Sequence, residues 1–464
     1  MLTYSFENRG SESLYEYLYN QIKNDIIANK LTPDTKLPSK RTLAKHLNVS
    51  TVTVETAYQQ LIAEGYIYSV AKSGYFVSQV ISTQHPELPK PSWNMESSAA
   101  ASPYFADFAN NSTSKDNFPF STWTKLMRET MSDEADNLMA SSPSIGVAKL
   151  RNAIADYLFQ FRGMSVNPEQ IVIGAGTEYL YGLIIQLLGR NKTYALEDPG
   201  YQKIPKIYQS NGVSCIPVSM DKYGIDMSEL NHTNADVLHI SPSHHFPTGI
   251  VTPISRRYEI LSWAAKTSDR YIIEDDYDSE FRLLGKPIPS LQSIDAIGKV
   301  IYMNTFSKSL TSTIRISYMI LPQNLMEQYK KTLSFYSCTV STFEQYTLAR
   351  FIEKGHFEKH INRMRNYYRT QRDILISFIK KHPLYHKVTI REENSGLHFL
   401  LCVNTTYSDL ELVERAKENN LHITCISEYF SDKRKATEHV MVINYSGLER
   451  DHIEKAVELL YQII

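Results

Sequence analysis

Residues 14–30 place Leu14, Leu18, Ile22 and Ile26 at intervals of four, with Tyr15 and Ile27 beside them and polar residues between. One apolar stripe at the helical period predicts an amphipathic helix with a single buried face. Leu31-Thr32-Pro33-Asp34 predicts a turn. A short helix is expected over 39–47 with Ser39 as its N-cap, then Asn48-Val49-Ser50 as a tight connection, then a helix to about Glu64 that Gly65 closes. Val52, Leu61 and Ile62 are the residues expected to hold this last helix to the core. Residues 66–68 and 75–77 read as two β arms around Ala71-Lys72-Ser73-Gly74. The order is helix, helix-turn-helix, wing.

From about 82 to 103 the pattern lapses into Pro86, Pro89 and Pro91 followed by Ser97-Ser98-Ala99-Ala100-Ala101-Ser102, which is linker composition. Beyond it, short β-branched runs at 171–173, 193–196, 213–218, 237–240, 271–273, 300–303 and 316–321 alternate with helical patterns. That alternation predicts an α/β fold with a mostly parallel central sheet. A helix-rich stretch over 325–381 leads into strands at 388–389, 398–403 and 440–444, with helices over 408–417 and 449–464, a small C-terminal α+β subdomain. The expected organisation is a winged helix-turn-helix over 1–80, a linker over 81–105 and one large domain over 106–464.

Composition narrows the class. With 464 residues, 42% apolar and 21% charged, the chain is too long for one ordinary core and too balanced for disorder. Its purely apolar runs are short, such as 183–185, against the roughly 18 residues a membrane helix needs. The first ten residues carry Glu7 and Arg9 and no apolar export core, so a cytoplasmic address with no membrane partner is expected. Cys215, Cys338, Cys402 and Cys425 are scattered, which suggests reduced thiols and neither a metal site nor a disulfide framework. The net charge of -1 conceals a local asymmetry, because Lys36, Lys40, Arg41 and Lys45 lie in a stretch without an acid.

A helix-turn-helix reads DNA by laying its second helix in the major groove while the first spans the backbone. Here Ser50, Thr51, Thr53 and either Glu55 or Thr56 form the expected exposed front. Ser39, Lys40 and Arg41 open the preceding helix, where charge and free amides suit phosphate or base-edge contact. A solvated basic face on an ordinary helical bundle would carry the same residues.

The strongest chemical signal is Asn304-Thr305-Phe306-Ser307-Lys308 after a strand, with Arg315 seven residues on. A pyridoxal 5'-phosphate (PLP) site needs a Lys for the Schiff base, hydroxyls for the phosphate and a cation to neutralise it. Lys308, Thr305, Ser307 and Arg315 match those needs. Gly174-Ala175-Gly176-Thr177 follows a strand and opens a helix, offering amides for the phosphate from Ala175, Gly176 and Thr177. Glu274-Asp275-Asp276-Tyr277 ends another strand with carboxylates, one of which would pair with the pyridinium nitrogen. Asp275 is the choice, with Tyr277 as donor to the ring O3′. Tyr201, in Glu197-Asp198-Pro199-Gly200-Tyr201, either stacks on the ring or packs in the core.

The stretch Leu37-Pro38-Ser39-Lys40-Arg41-Thr42-Leu43-Ala44, with Leu47-Asn48-Val49-Ser50, Thr53-Val54, Ala57-Tyr58, Leu61 and Glu64-Gly65-Tyr66, resembles the winged helix of the GntR family. The cofactor motifs, in their order, resemble the fold-type I aminotransferases. Their fusion is similar to the MocR-type regulators. That resemblance implies PLP as cofactor, Lys308 as the Schiff-base lysine, Asp275 as pyridine partner and Tyr277 as O3′ donor. It also implies a homodimer that binds operator DNA and answers a small-molecule effector. The chain departs from the pattern in three places. Thr51 stands where these regulators usually carry Arg after the Ser of the turn, and Phe246 stands before Pro247-Thr248-Gly249 where aminotransferases place Asn. Residues 442–448 lack the Arg that grips a substrate carboxylate, for which Lys203, His245 and Arg434 are the candidate substitutes in effector binding. The expected function is a regulator sensing an amine, an amino acid or a B6 vitamer. An aminotransferase with an appended winged helix, and a plain repressor with a vestigial large domain, are the alternatives.

Overall fold

The computed structural model describes residues 2–6, 9, 12–79, 104–110, 115–283, 288–394 and 396–464. It divides into two compact units, residues 1–98 and 99–464. Of the stretch read as linker, 81–103 lies outside the described residues.

In the first unit, α1 (Leu14–Ile27) starts at a Ser13/Glu16 capping box, α2 (Lys40–Leu47) at Ser39, and α3 (Thr51–Ala63) at Ser50. Each Ser accepts an amide of the first turn, which satisfies a donor the helix cannot. Asn48, left-handed at φ 52°, ends α2 and turns the chain into α3. A three-stranded sheet in the order β1 (Lys36–Leu37), β3 (Gly74–Val77), β2 (Ile67–Val70) forms the wing. Leu18, Ile22 and Ile26 of α1 pack with Leu43 of α2, and with Val54, Ala57, Tyr58 and Leu61 of α3. Tyr58 also donates to the Pro38 carbonyl at 3.0 Å, tying α3 to the entry of α2. Two expectations are corrected. Tyr19, not Ile27, widens the α1 stripe, and Ile27 is exposed. In α3 the buried residues recur at three and four from Val54, so Val52, 69% exposed, and Ile62 face solvent instead of the core.

The large unit is built on an eight-stranded sheet. Its order is Ile171–Gly174, Ser317–Ile320, Val300–Thr305, Tyr271–Asp275, Val237–Ile240, Thr193–Asp198, Ser214–Asp221 and Gly224–Ile225. Only Ser317–Ile320 and the terminal Gly224–Ile225 run against the others. Strands Ile171–Gly174, Ser317–Ile320, Val300–Thr305 and Val237–Ile240 are buried along their whole length, as expected where helices cover both faces. A second, antiparallel sheet joins Val388–Arg391, His398–Val403, Val440–Asn444 and Thr424–Cys425. The helix-rich stretch resolves into Gln323–Thr332, Thr342–Glu353 and His356–Lys381. In an open α/β sheet the crevice lies beyond the carboxyl ends of the parallel strands. Here the residues at or just after those ends include Gly176, Tyr201, Ser241, Asp275 and Lys308.

Candidate functional site

The front of α3 is polar by exclusion, since Val54, Ala57, Tyr58 and Leu61 are buried. Thr51 and Val52 are exposed there, with Thr53 half-buried. The hydroxyls of Ser39 and Ser50 are spent on capping, each accepting an amide and pairing with the hydroxyl of Thr42 or Thr53 at 2.7 and 2.8 Å. Lys40 is not a free cation either. Its Nζ lies 2.6 Å from Glu55 and 5.7 Å from the Tyr75 ring centroid, bracing α2 against α3 and the wing. Arg41, one residue on, is exposed. An Arg41→Ala variant should therefore lower the slope of log affinity against log salt by about 0.9, or cost about 1–3 kcal/mol on specific DNA alone if Arg41 reads a base. Operator and random duplex titrated at several salt concentrations separate the two. Wild-type binding by Arg41→Ala throughout, with binding lost in Thr51→Ala, would place the contact surface wholly in α3.

In the large unit a cavity of about 700 Å³ opens at the strand ends, lined among others by Gly176, Thr177, Tyr201, Asp275, Tyr277, Thr305, Ser307, Lys308 and Arg315. The three consecutive acids separate by strand alternation. Glu274 is fully buried, accepts the amides of Leu291 and Gln292 and lies 3.7 Å from Arg257. Asp276 takes Arg162 at 2.5 Å and the Tyr302 hydroxyl at 2.7 Å. Asp275 alone of the three lines the cavity. Its Oδ2 accepts from Tyr181 at 2.5 Å and faces His239 Nε2 at 3.6 Å, while Oδ1 is buried without a partner. His239 Nδ1 in turn meets the Tyr208 hydroxyl at 2.8 Å. Tyr181 thus holds one carboxylate oxygen, with His239 beside it, and leaves the other for a donor in the cavity. Neither was anticipated from the sequence. Tyr181 sits four residues after Thr177 on the same helix face, a spacing that could have suggested it.

Lys308 lies within the short helix Phe306–Ser309. Burial pushes its amine toward the neutral form, and Asp278 opposes that shift. Thr305 caps this helix by accepting the Ser307 amide at 3.1 Å, and its hydroxyl is held by Ser317 at 2.8 Å. Arg315 sits in the left-handed region at φ 52° and leans across Gly176. A Cβ on Gly176 would lie 2.6 Å from the guanidinium, and its own φ of +92° already favours glycine. Gly176 and Arg315 therefore form a cradle that a side chain would fill. Ala175 is different. Its amide bonds the Thr339 hydroxyl at 3.0 Å, so it is committed elsewhere. Tyr277 lines the cavity with its hydroxyl 3.4 Å from His244 Nδ1, and that nitrogen bonds Asp278 at 2.7 Å.

The three effector candidates separate. Lys203 lines the cavity but is paired with Glu178. His245 lines it too, buried and pushed down to about 3 by desolvation, 3.4 Å from Glu197. Arg434 is not among the lining residues, and 89% of its side chain is exposed beside Asp432. No cluster of three or more metal-ligating side chains occurs among the described residues.

Residues 107–460 match the family model for aminotransferase class I and II, and residues 14–77 match that for bacterial regulatory proteins of the gntR family. The chain is 38% identical to YdeL, an uncharacterized HTH-type transcriptional regulator of Bacillus subtilis, over 96% of both chains. It is 27% identical to the probable rhizopine catabolism regulatory protein MocR of Rhizobium meliloti, over 96% of this chain and 93% of that one. The chain belongs to the MocR-type regulators of the GntR family. A crystal structure of Pyrococcus horikoshii kynurenine aminotransferase superposes with a TM-score of 0.68 and 22% identity, covering 77% of this chain and 90% of that one. The large unit of this MocR-type regulator thus has the fold-type I aminotransferase architecture. Phe246 packs its ring edge-on to His398 and Tyr429 at 5.2 and 5.1 Å.

Proposed function

We propose that this transcriptional regulator binds operator DNA through α2 and α3, holds PLP at Lys308, and changes its operator affinity when an amine, an amino acid or a B6 vitamer reaches the same cavity. A homodimer is the working unit. The observation that carries the cofactor reading is the buried, partnerless Oδ1 of Asp275, in a cavity that Lys308 also lines. A carboxylate left unsatisfied in a dry site is costly unless a charged donor meets it, and a pyridinium N–H is such a donor. Gly176, Thr177, Ser307 and Arg315 would hold the phosphate, and Tyr277 would donate to O3′. PLP, when bound, supplies an electrophilic carbon that captures primary amines.

The chain's own residues do the rest. Tyr181 orients Asp275, and burial pushes the Lys308 amine toward its neutral, nucleophilic form. The buried pair His244–Asp278 stands beside both Tyr277 and Lys308. Effector control follows if the cavity's occupancy is coupled to operator affinity, and such coupling is reciprocal. Operator affinity measured with and without PLP, and with saturating amine, tests it; equal affinities in all three states would refute it. Asp275→Asn should weaken PLP binding by roughly 1.5–3 kcal/mol, the worth of a charge-assisted hydrogen bond. Equilibrium dialysis measures this, and an unchanged affinity would assign the nitrogen to another group. No helix among the described residues is long and apolar enough to cross a membrane.

A further inference from the structure

Two kinds of side chain line the cavity. The first is aromatic. Tyr201, Phe246, His398 and Tyr429 all line it, and Phe246 meets the other three edge-on, at 6.1, 5.2 and 5.1 Å between ring centroids. Tyr429 is fixed in turn by Thr424 at 3.2 Å, and His398 by the Pro247 carbonyl at 3.0 Å. The second kind is ionisable: Glu178, Asp275 and Asp278 stand with Lys203, Lys308 and Arg315, while burial pushes Glu197 up to about 8.

Each of those cations has a task. Lys203 is paired with Glu178, and Arg315 lies 3.7 Å from the same carboxylate and stands over the cradle at Gly176. Lys308 is the cofactor lysine. Of the lining histidines, burial pushes His245 down to about 3 and His398 well below its ordinary range, while His422 is engaged with Asp107 at 3.0 Å and His239 with the Tyr208 hydroxyl at 2.8 Å. His244 is engaged with Asp278 at 2.7 Å. A carboxylate entering here would join existing acids and the cofactor's phosphate, with no uncommitted cation among the described lining residues. Burying such an unpaired anion is expensive. A cationic or apolar tail instead meets ring faces, which attract cations and cover apolar surface.

We infer that the ligand sensed by this cavity is a primary amine whose far end is cationic or apolar, with no carboxylate. This rests on the reading that the cavity holds PLP and narrows the effectors proposed above to one class.

The test uses the full chain loaded with PLP and three amines of equal length: 1,4-diaminobutane, butylamine and 4-aminobutanoate. Cofactor retention after dialysis is read first, then binding of each amine by calorimetry and its effect on operator affinity. The diamine and butylamine should bind about tenfold or more tighter than 4-aminobutanoate, a difference of about 1.4 kcal/mol. Phe246→Leu keeps apolar bulk and removes a ring face, so it should weaken the diamine about 2- to 30-fold and butylamine less. Tyr429→Leu removes a second ring independently and should do the same. The inference is overturned if 4-aminobutanoate matches or exceeds butylamine, if none of the three binds, or if both ring variants leave the diamine unaffected. A chain that retains no PLP would bring down the cofactor reading itself, a result distinguishable because it is read before any amine is added.

Discussion

A Lys308→Ala chain is expected to lose the long-wavelength absorbance of lysine-bound PLP altogether while remaining folded. The lysine is the only described amine in the cavity that burial drives toward its neutral, nucleophilic form, whereas Lys203 is shifted the other way by its pairing with Glu178. The fold does not depend on it, since Phe306 and Ser309 are the buried residues of that short helix. A desolvated amine costs stability in the apo chain, so the variant should melt at the same temperature or slightly higher. The sign can be checked against pH. A lysine whose pKa is lowered in the folded state binds fewer protons there than when unfolded, so wild-type stability rises with pH from that lowered pKa toward the ordinary 10.5. The melting difference between variant and wild type should therefore narrow over that window. Spectra and thermal denaturation of the two chains decide the matter, and a variant that keeps the absorbance would remove Lys308 from the site.

The second large effect is structural. Arg162→Met should destabilise the large unit by about 3–5 kcal/mol, because it strands the Asp276 carboxylate in the interior. The Arg162–Asp276 pair is 6% and 1% exposed at 2.5 Å, and Asp276 is otherwise met by the Tyr302 hydroxyl at 2.7 Å. Tyr302 also takes the Asn304 amide at 3.3 Å, and Asn304 reaches Glu280 at 3.2 Å, so one cation anchors a buried polar chain under the site. Asp276→Asn added to Arg162→Met removes the stranded charge and should recover a large part of the loss. Chemical denaturation of the wild type, both singles and the double completes the cycle. Additive losses would mean that the pair is not coupled. The consequence for function is positional: Asp276 sits between Asp275 and Tyr277, so slack here should also loosen PLP.

Much of this regulator is legible along the chain because its information is local. The stripe Leu18, Ile22, Ile26, the Ser caps at 39 and 50, and the alternation of β-branched runs with helices depend on period and backbone chemistry alone. The cavity-lining residues are legible for a related reason. A parallel sheet delivers its site groups at the carboxyl ends of strands, so each arrives in a short contiguous motif such as Thr305 to Lys308 or Asp275 to Tyr277.

Orientation and partnership are another matter. Strand alternation sends Asp275 to one side of the sheet, and Glu274 and Asp276 to the other. Which side holds the cavity is decided by how the helices pack, so which of the three adjacent acids lines it is settled only with Arg257, Arg162 and Tyr181 in place. The same holds for α3, where Val52 looked like a core residue until packing against Leu18 and Ile22 set the helix's rotation. Lys40 and Lys203 read as available cations because their partners, Glu55 and Glu178, lie 15 and 25 residues away. Charge type is written in the residue. Whether that charge is free, paired or desolvated is set by neighbours distant in sequence, and only the folded chain brings them together.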